Sequence, residues 1–453
     1  MRSLVFLGLV LGQLLGGQSL FAKQLVSAET IQLQKDSTYS FELSNKLPVT
    51  YRKLPEVDIF WVAVAFSYGQ SSVSSEEATQ LNPLAQLMEH GSLSYPREKL
   101  YSLFETYSTG VGCGFGVETG MCAMSFVNQY ATDLLPVLSS LIVEPEFNSK
   151  EADLVIQQAK AANLAADQDP EDSVNELVND LFYGKNHPYW RNSAFDKKVL
   201  DKLKLEDFRK LHAKLLKGSS KRLVVVSSLP VEEVKALLEK NFSRLSSKVD
   251  KIKLQKPPVF HPKDNFAFED RDIPTAYIRA KFVLPGILDP DYLKSALMIH
   301  ILSEELETEI RTRRSLSYSV FASQIPYTMG IGILHASTSK PTETLKAMAS
   351  VLKKMQSDLI AREDLDRYKT VFATSYFLNL EDNGHLGSSL ANSFHYEGHA
   401  NKLYDFPVRL EAVTSEDIQK AARTYLRQFR LAVVYKKAAF EKKAAQDFLK
   451  AFP

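Results

Sequence analysis

The segment 82–91, NPLAQLMEHG, carries the residues of this chain best suited to chemistry. Its asparagine, proline and final glycine predict a helix that begins near the asparagine and ends at the glycine. On that helix Gln86, Glu89 and His90 lie three or four positions apart and share one face. A zinc peptidase places two histidines four apart on such a face, with a glutamate that takes a proton from zinc-bound water. Glutamine replaces the first histidine here, and the remaining Glu-His pair alone is typical of a solvated helix face.

Two other pairs have the four-residue spacing that brings side chains together on a helix. His300 and Glu304 form one pair, and because no second histidine completes a metal site we expect them at core and surface positions. His395 and His399 form the other pair, whose spacing can bind a metal ion. No third ligand lies near them in the sequence, which makes a metal site there the less favoured interpretation.

A basic cluster and a glycine-rich segment complete the set of candidates. Arg311, Arg313 and Arg314 could attract acidic peptide segments, although a solvated run of charge is the simpler interpretation. The glycines of the segment 110–116, GVGCGFG, do not follow the order of a phosphate-binding loop. They favour a hairpin in which two backbones approach each other closely.

Length and composition describe the protein that must position these residues. The chain has 453 residues, which is enough for two or three domains. With 45% hydrophobic and 24% charged residues it is globular, and its net charge of +1 argues against a nucleic-acid partner. The two cysteines, Cys113 and Cys122, exclude a disulfide scaffold or a cysteine-rich metal module. They are compatible with a cross-strand disulfide or with two buried thiols.

The chain divides into two similar halves, residues 23–245 and 264–453, joined by residues 246–263. The joining segment is charged, contains two adjacent prolines and lacks a helical apolar stripe, as is typical of an extended linker. Each half has a β-type run followed by a helical pattern, the runs being 60–68 and 276–284. We therefore predict an α+β fold of two homologous domains, each a mainly antiparallel sheet with helices packed on one face.

The first 22 residues differ in character from the rest of the chain. A short positive start is followed by an almost wholly apolar run over 4–15, and small and polar residues then lead to Ala22. This pattern predicts a secretory signal peptide cleaved near Ala22, and hence a secreted or periplasmic protein. An uncleaved membrane anchor is the alternative, but the apolar run is short for crossing a bilayer.

Several motifs, taken in order, resemble the M16 (insulinase/pitrilysin) metallopeptidases, in particular the smaller bacterial type built from two homologous halves. The segment 82–92 lies where that family has its His-x-x-Glu-His helix, and 151–158 resembles the helix that supplies the third zinc ligand. The segment 169–189 resembles the family's Asp-Pro turn and His-Pro-Tyr loop. Arg311 and Tyr318 keep the seven-residue spacing of its Arg and Tyr signature. The resemblance implies an M16-type fold that forms half of a clamshell.

The resemblance also identifies departures from the family's zinc site. Gln86 stands where the family has its first histidine, and Gln158 stands where it has its glutamate ligand, while Glu151 matches an earlier glutamate. A catalytic zinc ion needs three protein ligands, and only His90 remains, because an amide is a poor zinc ligand. Glu89 then has no metal-bound water to deprotonate. We therefore predict no cofactor in this chain, zinc in a partner subunit, and no peptide hydrolysis by this chain alone.

Arg311 and Tyr318 have a different role in the family, where they hold the substrate carbonyl and stabilise the oxyanion across the cleft from zinc. Some bacterial members divide the two functions between two polypeptides, and this chain is similar to the one that lacks zinc. The alternative is that Arg311 pairs with a nearby acid such as Glu309 and that Tyr318 only packs. In the family, the region of 110–116 is a sheet edge to which an extended peptide adds as a strand.

Three hypotheses about function follow. The first is a non-zinc subunit that forms a heterodimer with a homologous subunit bearing His-x-x-Glu-His, and that contributes Arg311 and Tyr318 to a shared peptidase site. The second is a peptide-binding or chaperone-like scaffold that has lost proteolysis. The third is a metal enzyme that uses His90, Glu89 and Glu151. None of them predicts a nucleic-acid partner, or a membrane span after signal cleavage.

Overall fold

A computed structural model of the chain describes residues 25–192, 196–247, 253–260 and 264–453. The predicted signal peptide, residues 1–22, lies outside the described residues, as does part of the predicted linker. The described parts of that linker form neither helix nor strand. Within the described ranges, no helix combines the length and apolar character needed to cross a bilayer.

The first half contains a six-stranded sheet that is antiparallel except for one parallel pair. Its strands, in chain order, are β1 (Thr38–Glu42), β2 (Pro48–Lys53), β3 (Ile59–Phe66), β4 (Val111–Phe115), β5 (Gly120–Val127) and β6 (Lys221–Ser227). They are arranged in the order β1-β2-β6-β3-β5-β4, with β2 and β6 parallel. The apolar run predicted as a strand at 60–68 is therefore β3, in the interior of the sheet.

The second half contains a five-stranded sheet with the same arrangement, less the first strand. Its strands are β7 (Phe266–Asp270), β8 (Ala276–Leu284), β9 (Ser317–Ile325), β10 (Gly330–Thr338) and β11 (Arg430–Tyr435). Their order is β7-β11-β8-β10-β9, with β7 and β11 parallel and the other pairs antiparallel. Because the same connectivity occurs twice, the predicted α+β fold class with two related, mainly antiparallel halves is confirmed.

The helices of each half build its core against one face of its own sheet. The first half has α1 (Ala28–Asp36), α2 (Ser75–Glu89), α3 (Arg97–Tyr107), α4 (Ala131–Val143), α5 (Ser149–Gln168), α6 (Pro170–Tyr183), α7 (Lys197–Leu200), α8 (Leu205–Gly218) and α9 (Val231–Phe242). The second has α10 (Tyr292–Leu306), α11 (Pro341–Ser357), α12 (Arg362–Asn379), α13 (Asn383–Glu397), α14 (Asn401–Tyr404), α15 (Phe406–Glu411), α16 (Ser415–Tyr425) and α17 (Lys442–Ala451). A π-helical turn, Glu307–Arg313, continues α10.

Each half also sends one helix to the second face of the other half's sheet. From the first half, α6 packs Val174 and Val178 against β11. From the second half, α13 packs on β3 and β6 of the first sheet. A side chain at Gly387 of α13 would lie 2.1 Å from the ring of Trp61, so glycine is what permits this close contact. The two halves are therefore interlocked, and the interior strands of each sheet are covered on both faces.

The tips of two equivalent hairpins meet where the halves join. Glu118, between β4 and β5, accepts hydrogen bonds from the backbone N–H of Thr328 (3.0 Å) and the hydroxyl of Tyr396 (2.6 Å), both in the second half. It also accepts one from Tyr189 of the first half. A buried carboxylate needs several such donors, and here donors from both halves provide them.

Candidate functional site

Helix α2 carries the candidate residues and begins earlier than the sequence analysis predicts. The structure starts it at Ser75, after a capping box in which Ser74 and Glu77 bond to each other's backbone N–H groups. The prediction that Asn82 caps the helix is therefore wrong, because a stronger cap lies eight residues upstream, at Ser74, and Pro83 is accommodated within the helix. The predicted end is correct, since His90 closes the helix and the next residue is a glycine with φ of 153°.

The three residues predicted to share one face of α2 have different surroundings. Gln86 is exposed to solvent. The carboxylate of Glu89 accepts a hydrogen bond of 2.5 Å from the backbone N–H of Cys113. His90 contacts another helix, with its Nδ1 atom 2.9 Å from a carboxylate oxygen of Glu151 on α5. The two acid–base groups of the motif are thus bonded to different parts of the first half.

Burial and neighbouring charges set the protonation preferences of these groups. Burial raises the pKa of Glu89, and the hydrogen bond from Cys113 opposes that shift only in part. Burial lowers the pKa of His90, as does the nearby cation of Arg97, while Glu151 opposes both effects. His90 is therefore biased towards its neutral form, in which it can both donate and accept hydrogen bonds.

The two candidate residues on α5 are also separated from each other. The Glu151 carboxylate forms an ion pair with Arg97 in addition to its contact with His90. Gln158, two helical turns later, is exposed. The family's glutamate pair on this helix is thus reduced to one carboxylate that is already neutralised within the chain.

Zinc does not fit this set of residues. Within the described ranges, no group of three or more histidine, cysteine, aspartate or glutamate side chains could hold a metal ion. The Arg97 cation occupies the Glu151 carboxylate and would repel a divalent cation placed beside it. Gln86 and Gln158 offer only neutral amides, which are poor zinc ligands. The hypothesis of a metal enzyme based on Glu89, His90 and Glu151 therefore has no support in the geometry.

The edge strand β4 is held by side chains of α2. The N–H of Cys113 donates to Glu89, and the N–H of Phe115 donates to the side-chain oxygen of Asn82 at 3.2 Å. A disulfide joins Cys113 to Cys122 on the neighbouring strand β5, which agrees with the cross-strand alternative rather than with two free thiols. Because these two amides already have acceptors, they are closed to an extended peptide that would add as a strand.

Arg311 and Tyr318 lie next to each other on the second half. The Arg311 guanidinium is 4.9 Å from the centre of the Tyr318 ring, and 85% of Tyr318 is exposed. Arg311 forms an exposed ion pair of 2.8 Å with Glu307, one turn earlier. Among the described residues the Tyr318 hydroxyl has no hydrogen-bond partner. The pair therefore presents an arginine fork and a phenol to the solvent.

The alternative from the sequence is met in part: Arg311 does pair with a nearby acid, Glu307 rather than Glu309, whereas Tyr318 is exposed rather than packed. Glu309 bonds Arg314 at 2.7 Å and Arg313 at 3.3 Å, and it is Glu307 that pairs with Arg311. The basic cluster is thus divided between two carboxylates. Beside Arg311 is a shallow depression of about 640 Å³ with a wall rich in serine and threonine hydroxyls. These groups can donate to, or accept from, a polar backbone.

The remaining histidine candidates do not form metal sites. His300 stacks on Phe372, and its Nε2 atom is 3.5 Å from Glu304, so the pair lies at a core and surface boundary as expected. The Nδ1 atom of His395 is 2.9 Å from the hydroxyl of Ser67, whereas His399 is exposed beyond the end of α13. The two histidines therefore have separate surroundings.

Two functional features have no signal in the sequence. Glu118 lies in an ordinary hairpin turn, and only the meeting of both halves gives it its partners. Asn82 resembles a helix cap but is an acceptor for an edge strand. Each depends on contacts between residues far apart in the chain, which residue types and spacing do not encode.

Comparisons with known proteins give a consistent result. Residues 202–372 match a family model described as the peptidase M16 inactive domain. A crystal structure of the peptidase M16 inactive domain from Pseudomonas fluorescens is 18% identical, with a TM-score of 0.80 over 89% of this chain and 99% of that one. A protease from Helicobacter pylori is 16% identical, with a TM-score of 0.77 over 88% of this chain and 99% of that one.

One matched structure is much longer than this chain, so the match covers only part of it. The periplasmic protease PqqL from Escherichia coli is 14% identical with a TM-score of 0.75, and the match covers 89% of this chain but 46% of PqqL. At these identities the solved structures show the fold alone. A search of curated protein sequences gave no match.

Proposed function

We propose that this chain is the zinc-free subunit of a two-chain peptidase. It has the M16 fold, and its residues 202–372 match that family's inactive domain. It pairs with a homologous subunit that bears His-x-x-Glu-His and zinc, and it contributes Arg311 and Tyr318 to a shared site for peptide substrates. The observation that carries this proposal is the exposed contact between Arg311 and Tyr318, 4.9 Å apart.

The physical argument rests on where these two groups lie. Donors that stabilise an oxyanion act strongly only when they face the developing charge in a site from which water is excluded. Arg311 and Tyr318 are exposed in this chain and are not enclosed by its own surface. A second subunit that covers them would remove the water and bring a scissile carbonyl to the Arg311 fork and the Tyr318 hydroxyl.

Two further observations support a partner. The residues that match the family's zinc site do not fit a metal ion here, so the nucleophilic water must come from elsewhere. The match also covers only 46% of the periplasmic protease PqqL. A second chain of similar size would complete a molecule of equivalent length.

The proposed location is the periplasm or the exterior. The sequence pattern of residues 1–22 supports export. The disulfide between Cys113 and Cys122 supports it too, since disulfides persist in oxidising compartments and are rare in the cytosol.

Reconstitution tests the proposal. The mature chain is co-expressed with a homologous His-x-x-Glu-His subunit, and the complex is assayed on a peptide library. We expect Arg311→Ala to reduce kcat by about 10²–10³-fold without dissociating the complex, because a transition-state donor is lost. The control is Arg313→Ala, an exposed arginine of the same helical turn whose partner is Glu309, and it should keep full activity. Equal activities of the two variants would refute the role of Arg311.

A peptide-binding scaffold without catalysis is the second candidate function. The observation in its favour is a cavity of about 1070 Å³ between the halves, which is independent of any partner. Purification distinguishes the candidates. A stable heterodimer with peptidase activity supports the first function, and a chain that binds peptides alone and cleaves nothing with any homologous subunit supports the second.

A further inference from the structure

The cavity of about 1070 Å³ lies where the two halves meet and is distinct from the residues discussed above. Its wall is formed by the ends of β3 and β6, the hairpin between β4 and β5, and the last turns of α13 from the second half. Neither the degenerate zinc-site residues nor Arg311 and Tyr318 contribute to it. A volume near 1000 Å³ is typical of sites that enclose a small organic ligand or a short peptide.

The cavity is positively charged. Arg222 lies on its wall, with its guanidinium 4.4 Å from the centre of the Phe394 ring and Nη1 3.2 Å from the hydroxyl of Thr50. No carboxylate in the described part of the chain lies within ion-pair distance of Arg222. Burial lowers its pKa to about 10, and the more distant carboxylate of Glu42 opposes that shift only in part. Arg222 remains a cation at neutral pH. Lys253 and His395 also line the cavity.

The one acid among the described lining residues does not neutralise this charge. It is Glu118, whose carboxylate accepts hydrogen bonds from Tyr189, Thr328 and Tyr396. Its lone pairs are occupied by the contact between the halves. The Arg222 fork is therefore available to an anion from outside.

A buried hydroxyl in the wall also lacks a partner. Tyr68 is 6% exposed, and its hydroxyl has no hydrogen-bond partner among the described residues. Leaving such a group unpaired destabilises the fold, and a hydrogen bond to a ligand oxygen would recover that loss. Met121, Ile287 and Phe394 add apolar surface to the wall of the same cavity. The wall thus combines a cation, a free hydroxyl and apolar area.

We propose that this cavity binds a carboxylate ligand with an apolar body, with the carboxylate on the Arg222 fork. Two sources offer that chemistry, the free C-terminus of a short peptide and a small organic acid. An arginine fork matches a carboxylate in a bidentate manner, which makes Arg222 the residue that selects the ligand. Lys253, on the exposed rim, adds attraction that salt screens.

Calorimetry on the mature chain tests the proposal with three probes. The first is an N-acetylated tripeptide of two alanines and a phenylalanine with a free carboxylate, the second is its C-terminal amide, and the third is succinate. We expect the free acid to bind at least about tenfold more tightly than the amide, since the amide loses the charge-assisted bonds to Arg222. Succinate binding as tightly as the peptide acid identifies a small acid as the ligand, and weaker binding identifies the peptide terminus.

Substitutions in the cavity wall test whether the ligand binds there. Arg222→Gln should weaken the binding of the free acid by about tenfold and leave the binding of the amide unchanged. Arg209→Gln, which replaces an exposed arginine on α8, should change the affinity for neither probe. Because Arg222→Gln alters a half-buried position, Ser388→Phe provides an independent test, as it fills the cavity from α13 and keeps the charge. It should abolish binding of every probe. Equal binding of acid and amide, no binding of any probe, or full binding to Ser388→Phe would overturn the proposal.

Discussion

Glu89 and His90 in the first half are partly buried and bonded within the chain, whereas Arg311 and Tyr318 in the second half project into solvent. The two sets occupy equivalent places in the repeated fold. Glu89 and His90 close the helix that follows β3, and Arg311 and Tyr318 lie where the helix that follows β8 leads into β9. Groups whose bonds are satisfied internally hold the structure together, while groups left exposed and adjacent are available to something outside it. The repeated fold thus presents its candidate residues differently in its two halves.

The helices that lead to these residues, α2 and α10, each bind the edge strand of their own sheet. In the first half, α2 binds the edge strand β4 through Asn82 and Glu89. In the second half, α10 binds the edge strand β9 through the Ser303 hydroxyl, which accepts from the N–H of Ala322 at 3.1 Å. Both helices therefore protect the strand beside them. Only in the first half does a carboxylate, that of Glu89, take part.

The largest expected effect is a difference in catalytic role between the two halves. In the reconstituted complex, we expect Tyr318→Phe to lower kcat by about 10²–10³-fold, because the phenol donates to the oxyanion in the transition state. Glu89→Gln in this chain should leave kcat unchanged, since its carboxylate only accepts from Cys113. Steady-state kinetics of both variants provide the measurement. A loss of activity with Glu89→Gln at unchanged stability would mean that the first half is catalytic after all.

A second contrast concerns buried cations beneath the exchanged helices. Lys281 on β8 is 4% exposed, donates to Asn179 of α6 and lies 5.0 Å from the centre of the Tyr183 ring. Burial, and secondarily the charge of Arg279, lowers its pKa to about 7. The unfolded chain then binds more protons than the folded one between pH 7 and about 10, so the free energy of unfolding rises with pH across that window.

Lys281→Met should remove this dependence and stabilise the protein at pH 7 by about 2–4 kcal/mol, since each pKa unit corresponds to about 1.4 kcal/mol. Urea unfolding at pH 7 and pH 10 measures it, with Lys346→Met, an exposed lysine of α11, as the control. Parallel pH profiles for the wild type and Lys281→Met would contradict a neutral, buried amine. In the first sheet, Arg222 keeps its charge over most of this range, because burial lowers its pKa only to about 10.

The smallest expected effects concern the two edge strands. Asn82→Ala leaves the Phe115 amide without its acceptor and should cost about 1–2 kcal/mol of unfolding free energy. Ser303→Ala should cost a similar amount in the second half, through the amide of Ala322. Hydrogen exchange resolves the two, as each variant should accelerate exchange at its own strand only. Unchanged exchange at Phe115 in Asn82→Ala would mean that the edge is protected in another way.

The sequence predicts the duplication well and the site only in part. The runs at 60–68 and 276–284 predict strands because their apolar patterns are local, and the structure contains both as β3 and β8. The start of α2 is mispredicted because Asn82 and Pro83 are good capping residues in isolation. The exchange of α6 and α13 between halves rests on contacts such as Gly387 with Trp61, more than 300 residues apart, which no local pattern encodes.

The central claim is that the second half supplies Arg311 and Tyr318 to a zinc site on another chain. The most direct measurement is an experimental structure of the complex with a zinc-bearing subunit and a bound peptide. The account predicts that Arg311 and Tyr318 face the peptide carbonyl next to the partner's zinc ion, with the ion absent from the Gln86–His90 segment of this chain. Arg311 and Tyr318 directed into solvent in that complex, or a metal ion bound at His90, would contradict it.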